Sequence, residues 1–461
     1  MTRKKKCAAA VIAVAGAVVL LAVLFWHRQP SVPYLIHEGD TAKVRKMEED
    51  RKETLMVGAS QIPSSIHPYQ GQNETMDILK KLVYEPLAYR NQDGSLTYAL
   101  AEKVVISQDG QEAEVTLKAD RTFRDGSDVT AEAVAAAFGW HQEMANESAY
   151  QVVLQKVAKA EPVEEGILRI QFTGNSIDNL KVLEVPVMHV TEELLKKNET
   201  LAGSGPYEID TLVPSKSVRL SLRDGMTAED FPYKNVQIET PGGKDFTGIL
   251  KAQAYDWMSV SDSQEEAACG DGAYDIYEFG KAYGMYLVCN RNHPEMADLQ
   301  KRQLVMQSID REKLFEDCFS QGLLPKGILL DRSPKEKKGQ KAADASWKSL
   351  TLYRGQDNAA MAVADWLIKA WEQQGITVEQ QDKIKEGPLT GQDVSMYLYC
   401  GWYEELLAEE GPFVPGEEME LSRYCEAFED WIEEEAWILP LWQEGAYSAA
   451  LAGRNTKGLS R

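Results

Sequence analysis

The spacing of apolar and polar residues divides this chain into readable elements. Val115 and Leu117 alternate with Glu114, Thr116 and Lys118, the two-residue period that buries one face of a strand and wets the other. The turn Asp125-Gly126 follows. Thr130 then stands at a helix N-cap, with Val134, Phe138 and His141 on one side and Glu132 in the first turn, at the positive end of the helix dipole. Leu55-Met-Val-Gly58 reads as a short buried strand, and Ile167-Leu-Arg-Ile-Gln-Phe172 as an alternating one. Asp310 is placed to cap a helix whose inner side is Leu314, Phe315 and Cys318. Leu350-Thr-Leu-Tyr353, a helix from Ala359 to Gln374 and Ile376-Thr-Val378 compose a β-α-β unit. In it Ala360, Val363, Ala364, Leu367, Ala370 and Trp371 keep helical spacing and Gly375 is the stop. A crossover helix implies parallel strands and hence an α/β sheet, whose ligands sit beyond the carboxyl ends of the strands. Arg354 lies at such an end.

The amino terminus adds a second kind of pattern. Arg3 and Lys4 to Lys6 precede an uninterrupted apolar run, residues 8–26, close to the ~20 residues that cross a bilayer as a helix. Positive charge on that side keeps it cytoplasmic and places the rest outside. A cleaved signal peptide is the competing reading, but Val23 to Arg28 is bulky and lacks a small-x-small site. Cys7 precedes the run, which argues against a lipoprotein. Residues 27–53 are charged and aperiodic and read as a tether or a short exposed helix, so the folded body is expected to begin at Thr54. At 461 residues the chain is long enough for two cores, and its formal net charge of -22 excludes nucleic acid as a partner.

Four stretches then narrow the reading. They are Leu82-Val-Tyr-Glu-Pro-Leu87 with Asp93-Gly94 and Ala99-Leu-Ala-Glu102; Phe123-Arg-Asp-Gly-Ser-Asp-Val-Thr-Ala-Glu-Ala-Val134; Gly203-Ser-Gly-Pro-Tyr207; and Arg302-Gln-Leu-Val-Met-Gln-Ser-Ile-Asp-Arg-Glu312. In order and spacing they resemble the family 5 extracellular solute-binding proteins, the oligopeptide and dipeptide receptors of ABC importers. Ala133 departs from that pattern, where Asp is usual. The resemblance implies a bilobal α/β fold of the periplasmic-binding-protein type (type II, Venus flytrap) with two hinge crossovers. To this the amino terminus adds one transmembrane helix. Lobe one is expected over residues 54–247 and 436–461 and a shortened lobe two over 248–435, with hinges near Pro241 to Lys251 and Glu433 to Pro440.

The resemblance also implies a site. Asp393 to Trp402 is similar to the family's strand ending in Gly-Trp, after which the peptide receptors carry an acid for the ligand's amino group; by position that acid is Glu405. Glu404 and Glu405 equally fit an acidic surface turn. Trp402 and Tyr403 would wall the cleft, although Trp402 also fits core packing, and Arg354 would take a carboxylate. Backbone near Ile62 and Ser64, and from Tyr286 to Asn290, would bond an extended ligand as a strand does. His67 stands where the family usually has Asp and reads as a loop residue.

No metal or cofactor is expected. The glycines at 203–205 and 242–243 lack the spacing of nucleotide loops, and no HExxH or Gly-x-Ser-x-Gly pattern occurs. Of six cysteines, Cys289, Cys318 and Cys400 sit in apolar settings; a bridge between Cys269 and Cys425 stays open. The expected protein is a monomeric, extracytoplasmic, non-enzymatic receptor that passes peptides to ABC permease subunits. Alternatives are a nickel chelate, haem or sugar as ligand, or a peptide sensor or protein-interaction module uncoupled from transport.

Overall fold

The computed structural model describes residues 34–459 except 47–48, 69–72, 92–93, 144–148, 192–201, 227–231, 242–245, 262–263, 265–267, 269, 271, 331, 333–349, 356, 384–390, 392, 410–412 and 457–458. The apolar run 8–26, Cys7, Asp93, Cys269 and most of the polar stretch from Asp331 to Lys348 therefore lie outside the described residues. Among those described, no helix is long and apolar enough to cross a membrane.

A mixed sheet organises the molecule around two long antiparallel strands, Tyr274–Cys289 and Ile438–Leu451. On one flank lie Thr54–Gly58, Asn235–Glu239 and Trp257–Val260, mutually parallel, with Ser217–Leu222 and Tyr207–Val213 at the edge. On the other lie Met396–Trp402, Leu350–Tyr353 and Val378–Gln381, also parallel. The long strands serve both flanks. Tyr274 to Gly280 pairs with Gly445 to Leu451, Gly284 to Val288 pairs with Ile438 to Gln443, and the register slips between Gly280 and Gly284.

Each flank has its own core. Leu55, Val57, Leu79, Val218 and Ile238 pack on the first. Leu287, Leu314, Val363, Leu367, Trp371 and Met396 pack on the second. The helix Asn358–Glu372 is capped by Asp357, whose carboxylate accepts from Ala360 N (2.8 Å), and ends before Gly375 at φ +82°. Asp310 caps Arg311–Cys318 through Lys313 N (3.0 Å).

A second antiparallel sheet has the order Met419–Glu420, Ala101–Ile106, Glu112–Leu117, Ile167–Phe172, Val157–Glu164. Val115 is fully buried and Glu114 exposed, as the alternation requires. Helix Ala131–Glu143 begins after Thr130, whose hydroxyl accepts from Ala133 N (3.2 Å), and buries Val134, Phe138 and His141. Helix Leu421–Glu435 brings Tyr424, Cys425, Phe428 and Ile432 into the same core, so early and late parts of the chain share one apolar interior.

The Gly203-Ser-Gly205 motif has a packing reason. A Cβ on Gly203 would sit 1.9 Å from the Val83 carbonyl oxygen and one on Gly205 2.2 Å from that of Leu82. Only glycine lets this strand lie against the end of helix Glu74–Leu82. Arg223 fixes it there, donating from Nη1 to the carbonyls of Ser204 (3.2 Å) and Gly205 (2.9 Å).

Within the charged stretch before Thr54, the described residues from Tyr34 onward are docked. Tyr34–His37 pairs with Ile276 to Glu278, Gly39 N donates to Asp275 Oδ1 (2.7 Å), and Arg45 N to Gln253 Oε1 (2.8 Å). Arg51 reaches the fully buried Asp256. Charge along the sequence suggested solvent; a buried carboxylate and an open strand edge supply partners instead.

His67 stacks on Trp140 (5.3 Å between ring centres), and His141 meets Tyr150 edge-on (5.7 Å). Burial pushes both imidazoles down to about 4, and for His67 the neighbouring His141 adds to it. The folded form holds them neutral, whereas unfolded histidines take up protons from about pH 6.5. Stability is therefore complete above that pH and falls as pH drops from 6.5 towards 4, by roughly 3 kcal/mol for the fully buried His141. Urea midpoints at pH 7.5 and 4.5 check this, and His141→Phe, matching the apolar site, should flatten the profile.

Candidate functional site

The two sets of parallel strands converge. Val260 ends one set beside Tyr447, which pairs with Glu278, and Trp402 ends the other beside Tyr283. At about 3.3 Å per residue, the five steps from Glu278 to Tyr283 separate the two rims by roughly 16 Å. Both flanks thus direct their carboxyl ends at one gap, bridged by the slipped segment of the long strands.

A cavity of about 1440 Å³ opens on the first of these rims. Its wall includes Gly58, Thr240, Ser259 and Ser261 at the strand ends, Phe279 to Lys281 and Gly445 to Ser448 on the crossing, and the aromatic faces of Tyr89, Phe246 and Trp257. Helix Glu74–Leu82 supplies the charged wall. Asn73 caps it by accepting from Met76 N (3.1 Å); Met76, Leu79 and Leu82 turn into the core, while Glu74, Asp77, Lys80 and Lys81 line the cavity.

These charges are held in place. Glu74 Oε2 accepts from Ser60 N (2.7 Å) and Oε1 from the Ser259 hydroxyl, tying the helix start to two strand ends. Lys80 Nζ lies 2.6 Å from Asp77 Oδ1. Burial opposes the Lys80 charge, yet Tyr150, Asp77 and Glu184 outweigh it and keep the ammonium's pKa above its ordinary value. Arg90 binds Glu184 Oε1 through Nε (3.1 Å) and the Gly94 carbonyl through Nη1 (3.2 Å).

The residues expected from the sequence gather mostly at the opposite rim, and none of them lines this cavity. Trp402 is 48% exposed and stands edge-on to Tyr283 (5.8 Å). Tyr403 opens helix Tyr403–Glu409 and packs on the shared core. Exposed Glu405 accepts from the Tyr399 hydroxyl (2.9 Å), and buried Tyr286 pairs with Tyr399 across the strands, rings 6.4 Å apart. Arg354 Nε sits 2.9 Å from Asp382. Asn290 is buried in a turn, donating from Nδ2 to Val394 O (3.1 Å) and accepting from Asn292 N (3.1 Å). Ile62 belongs to the first core and Ser64 is exposed. Glu74, Asp77, Lys80, Arg90 and Glu184 were not foreseen. Helix Glu74–Leu82 was not read from the sequence, where its polar positions are the available signal, and a stripe facing a cavity looks the same as one facing solvent.

One cluster mimics catalytic chemistry. Ser127 Oγ and Asp125 Oδ2 both meet His189 Nδ1, at 2.9 and 2.5 Å. A serine nucleophile and its orienting acid need opposite ring nitrogens, so this is no hydrolytic triad. The four described cysteines, Cys289, Cys318, Cys400 and Cys425, are free thiols.

Comparison with known proteins agrees with this architecture. Residues 95–405 match the profile of "Bacterial extracellular solute-binding proteins, family 5 Middle". The oligopeptide-binding protein OppA of Bacillus subtilis is 25% identical over 312 residues, 61% of this chain and 57% of that protein. The glutathione-binding protein GsiB of Salmonella typhimurium is 23% identical over 211 residues, 44% and 38% of the two. The chain thus spans little more than half of the one relative and less than half of the other. Among solved structures, MppA, a periplasmic murein tripeptide binding protein in an unliganded open form, superposes with a TM-score of 0.63 at 15% identity, covering 92% of this chain and 95% of that one. A nickel ABC transporter protein from Bacillus halodurans gives 0.61 at 17%, covering 88% and 97%. At such identities the likeness is one of fold.

Proposed function

From the premise that the chain belongs to the family 5 bacterial extracellular solute-binding proteins, we propose that it is the solute-binding component of an ABC importer, capturing peptides by closing two lobes on them. The observation that carries this is the convergence of two sets of strand carboxyl ends on the crossing strands, with a large, charge-walled cavity on the first of them. The slip between Gly280 and Gly284, opposite Gln443 to Gly445, supports a hinge there: pairing is interrupted at that place, and Gly280 packs on the Gln443 side chain. Trp402, Tyr403 and Glu405 then form the rim that swings towards the cavity. Ligand held by both rims has differential affinity for the closed form and shifts the population to it. Residues 8–26 anchor the body outside the membrane, beside the permease subunits it supplies, and no chemistry is done on the guest.

A thermal-unfolding titration of the full chain with a randomised tetrapeptide mixture tests this. Binding at a hundred times Kd adds about 2.7 kcal/mol and raises Tm by about 2–3 °C in a chain of this size. An unmoved midpoint up to millimolar peptide contradicts the reading.

A further inference from the structure

A peptide brings two charged ends into the cavity, and the wall treats them unequally. Although the whole chain carries a formal charge of -22, the cavity lining includes four basic side chains, Lys80, Lys81, Arg90 and Lys281, against three acids. The acids are committed: Glu74 to Ser60 and Ser259, Asp77 to Lys80, Glu184 to Arg90. Arg90 differs from the other bases in how it is held. Glu184 fixes Nε and the Gly94 carbonyl fixes Nη1, while Nη2 lies outside both bonds. The Gly94 anchor is rigid in turn, since a Cβ there would sit 1.6 Å from the Leu329 carbonyl oxygen. A guanidinium braced on two sides loses little freedom on binding and grips a carboxylate by geometry as well as charge. Arg354, at the other rim, is held through Nε by Asp382 (2.9 Å), whose side chain is 59% exposed.

We infer that Arg90 is the anchor for the ligand's terminal carboxylate, so that a peptide lies with its carboxyl end against the wall formed by Glu74–Leu82 and Ala88–Arg90. This rests on the reading of the cavity as a peptide site. It assigns carboxylate recognition to Arg90 in place of Arg354.

The test is the ratio of affinities for one randomised tetrapeptide mixture as free acid and as carboxyl-terminal amide, measured by calorimetry on the full chain. Because both ligands are read on the same variant, a partial loss of folded protein cancels. Wild type should prefer the acid by roughly tenfold or more, the worth of one charge-assisted hydrogen bond. Arg90→Gln should bring acid and amide to within about twofold, Arg90→Lys should fall between because it keeps charge but loses the fork, and Arg354→Gln should leave the preference intact. A preference that survives Arg90→Gln, disappears in Arg354→Gln, or is absent from wild type overturns the assignment while leaving the peptide reading standing. If neither mixture binds, the peptide reading itself fails and Arg90 falls with it.

Discussion

Asp256→Ala should lower folding stability by about 3–5 kcal/mol, the cost of stripping a buried charge cluster of one sign. Asp256 is fully buried and joins three distant parts of the chain. Its carboxylate meets Arg51 from the docked amino-terminal stretch and Arg454 Nε near the carboxyl end (3.1 Å), and it accepts from Met56 N of the first parallel strand (2.8 Å). Arg454 in turn donates to the Thr54 and Arg51 carbonyls (2.9 and 3.1 Å) and lies over the Tyr233 ring (4.6 Å). Removing the carboxylate leaves two guanidinium groups facing each other and a strand N–H without its acceptor. Asp256→Asn keeps an acceptor for Met56 while losing the charge, so it should cost about half as much. Urea unfolding of the two variants beside wild type decides this; equal, small losses would mean the cluster is solvated.

Glu429→Ala is the second large effect. On helix Leu421–Glu435, 1% exposed, Glu429 accepts from three consecutive backbone N–H groups: Ile328 (2.7 Å), Leu329 (2.8 Å) and Leu330 (3.2 Å). Burial raises its pKa, although those three bonds and Arg332 work against the rise. Each buried donor left unmade costs about 1–3 kcal/mol, and relaxation of the loop keeps the total near 4 kcal/mol. Glu429→Gln retains one acceptor oxygen and should lose about 2 kcal/mol. The loss extends to the cavity, because the Leu329 carbonyl packs on Gly94, whose own carbonyl holds Arg90. At temperatures where Glu429→Ala is still folded, its peptide affinity should drop as well; unchanged affinity with lowered stability would separate the two roles.

Much of the architecture was legible because local rules and packing agree. The period of Val115 and Leu117, the Thr130 and Asp310 caps and the Gly375 stop all specify elements without reference to the rest of the chain. The glycine motif at 203–205 was visible as a motif, but its reason, the approach of the Leu82 and Val83 carbonyls, is a long-range contact. The docking of Tyr34 to Arg51 was hidden for a similar cause: its partners Asp275, Gln253 and Asp256 stand some two hundred residues away. In the site, the strand-end rule pointed to Arg354 and the family resemblance to Trp402 and Glu405, which belong to one rim. The other rim is built by a helix whose charges carry no local mark, and only the fold brings Lys80, Arg90 and Glu184 to one wall.

The central claim is that two lobes close on a guest across the slipped crossing strands. Small-angle X-ray scattering of the full chain, with and without the tetrapeptide mixture expected to raise its melting temperature, tests it most directly. A fall in the radius of gyration on binding is the predicted result. Peptide bound with no change in that radius would contradict closure.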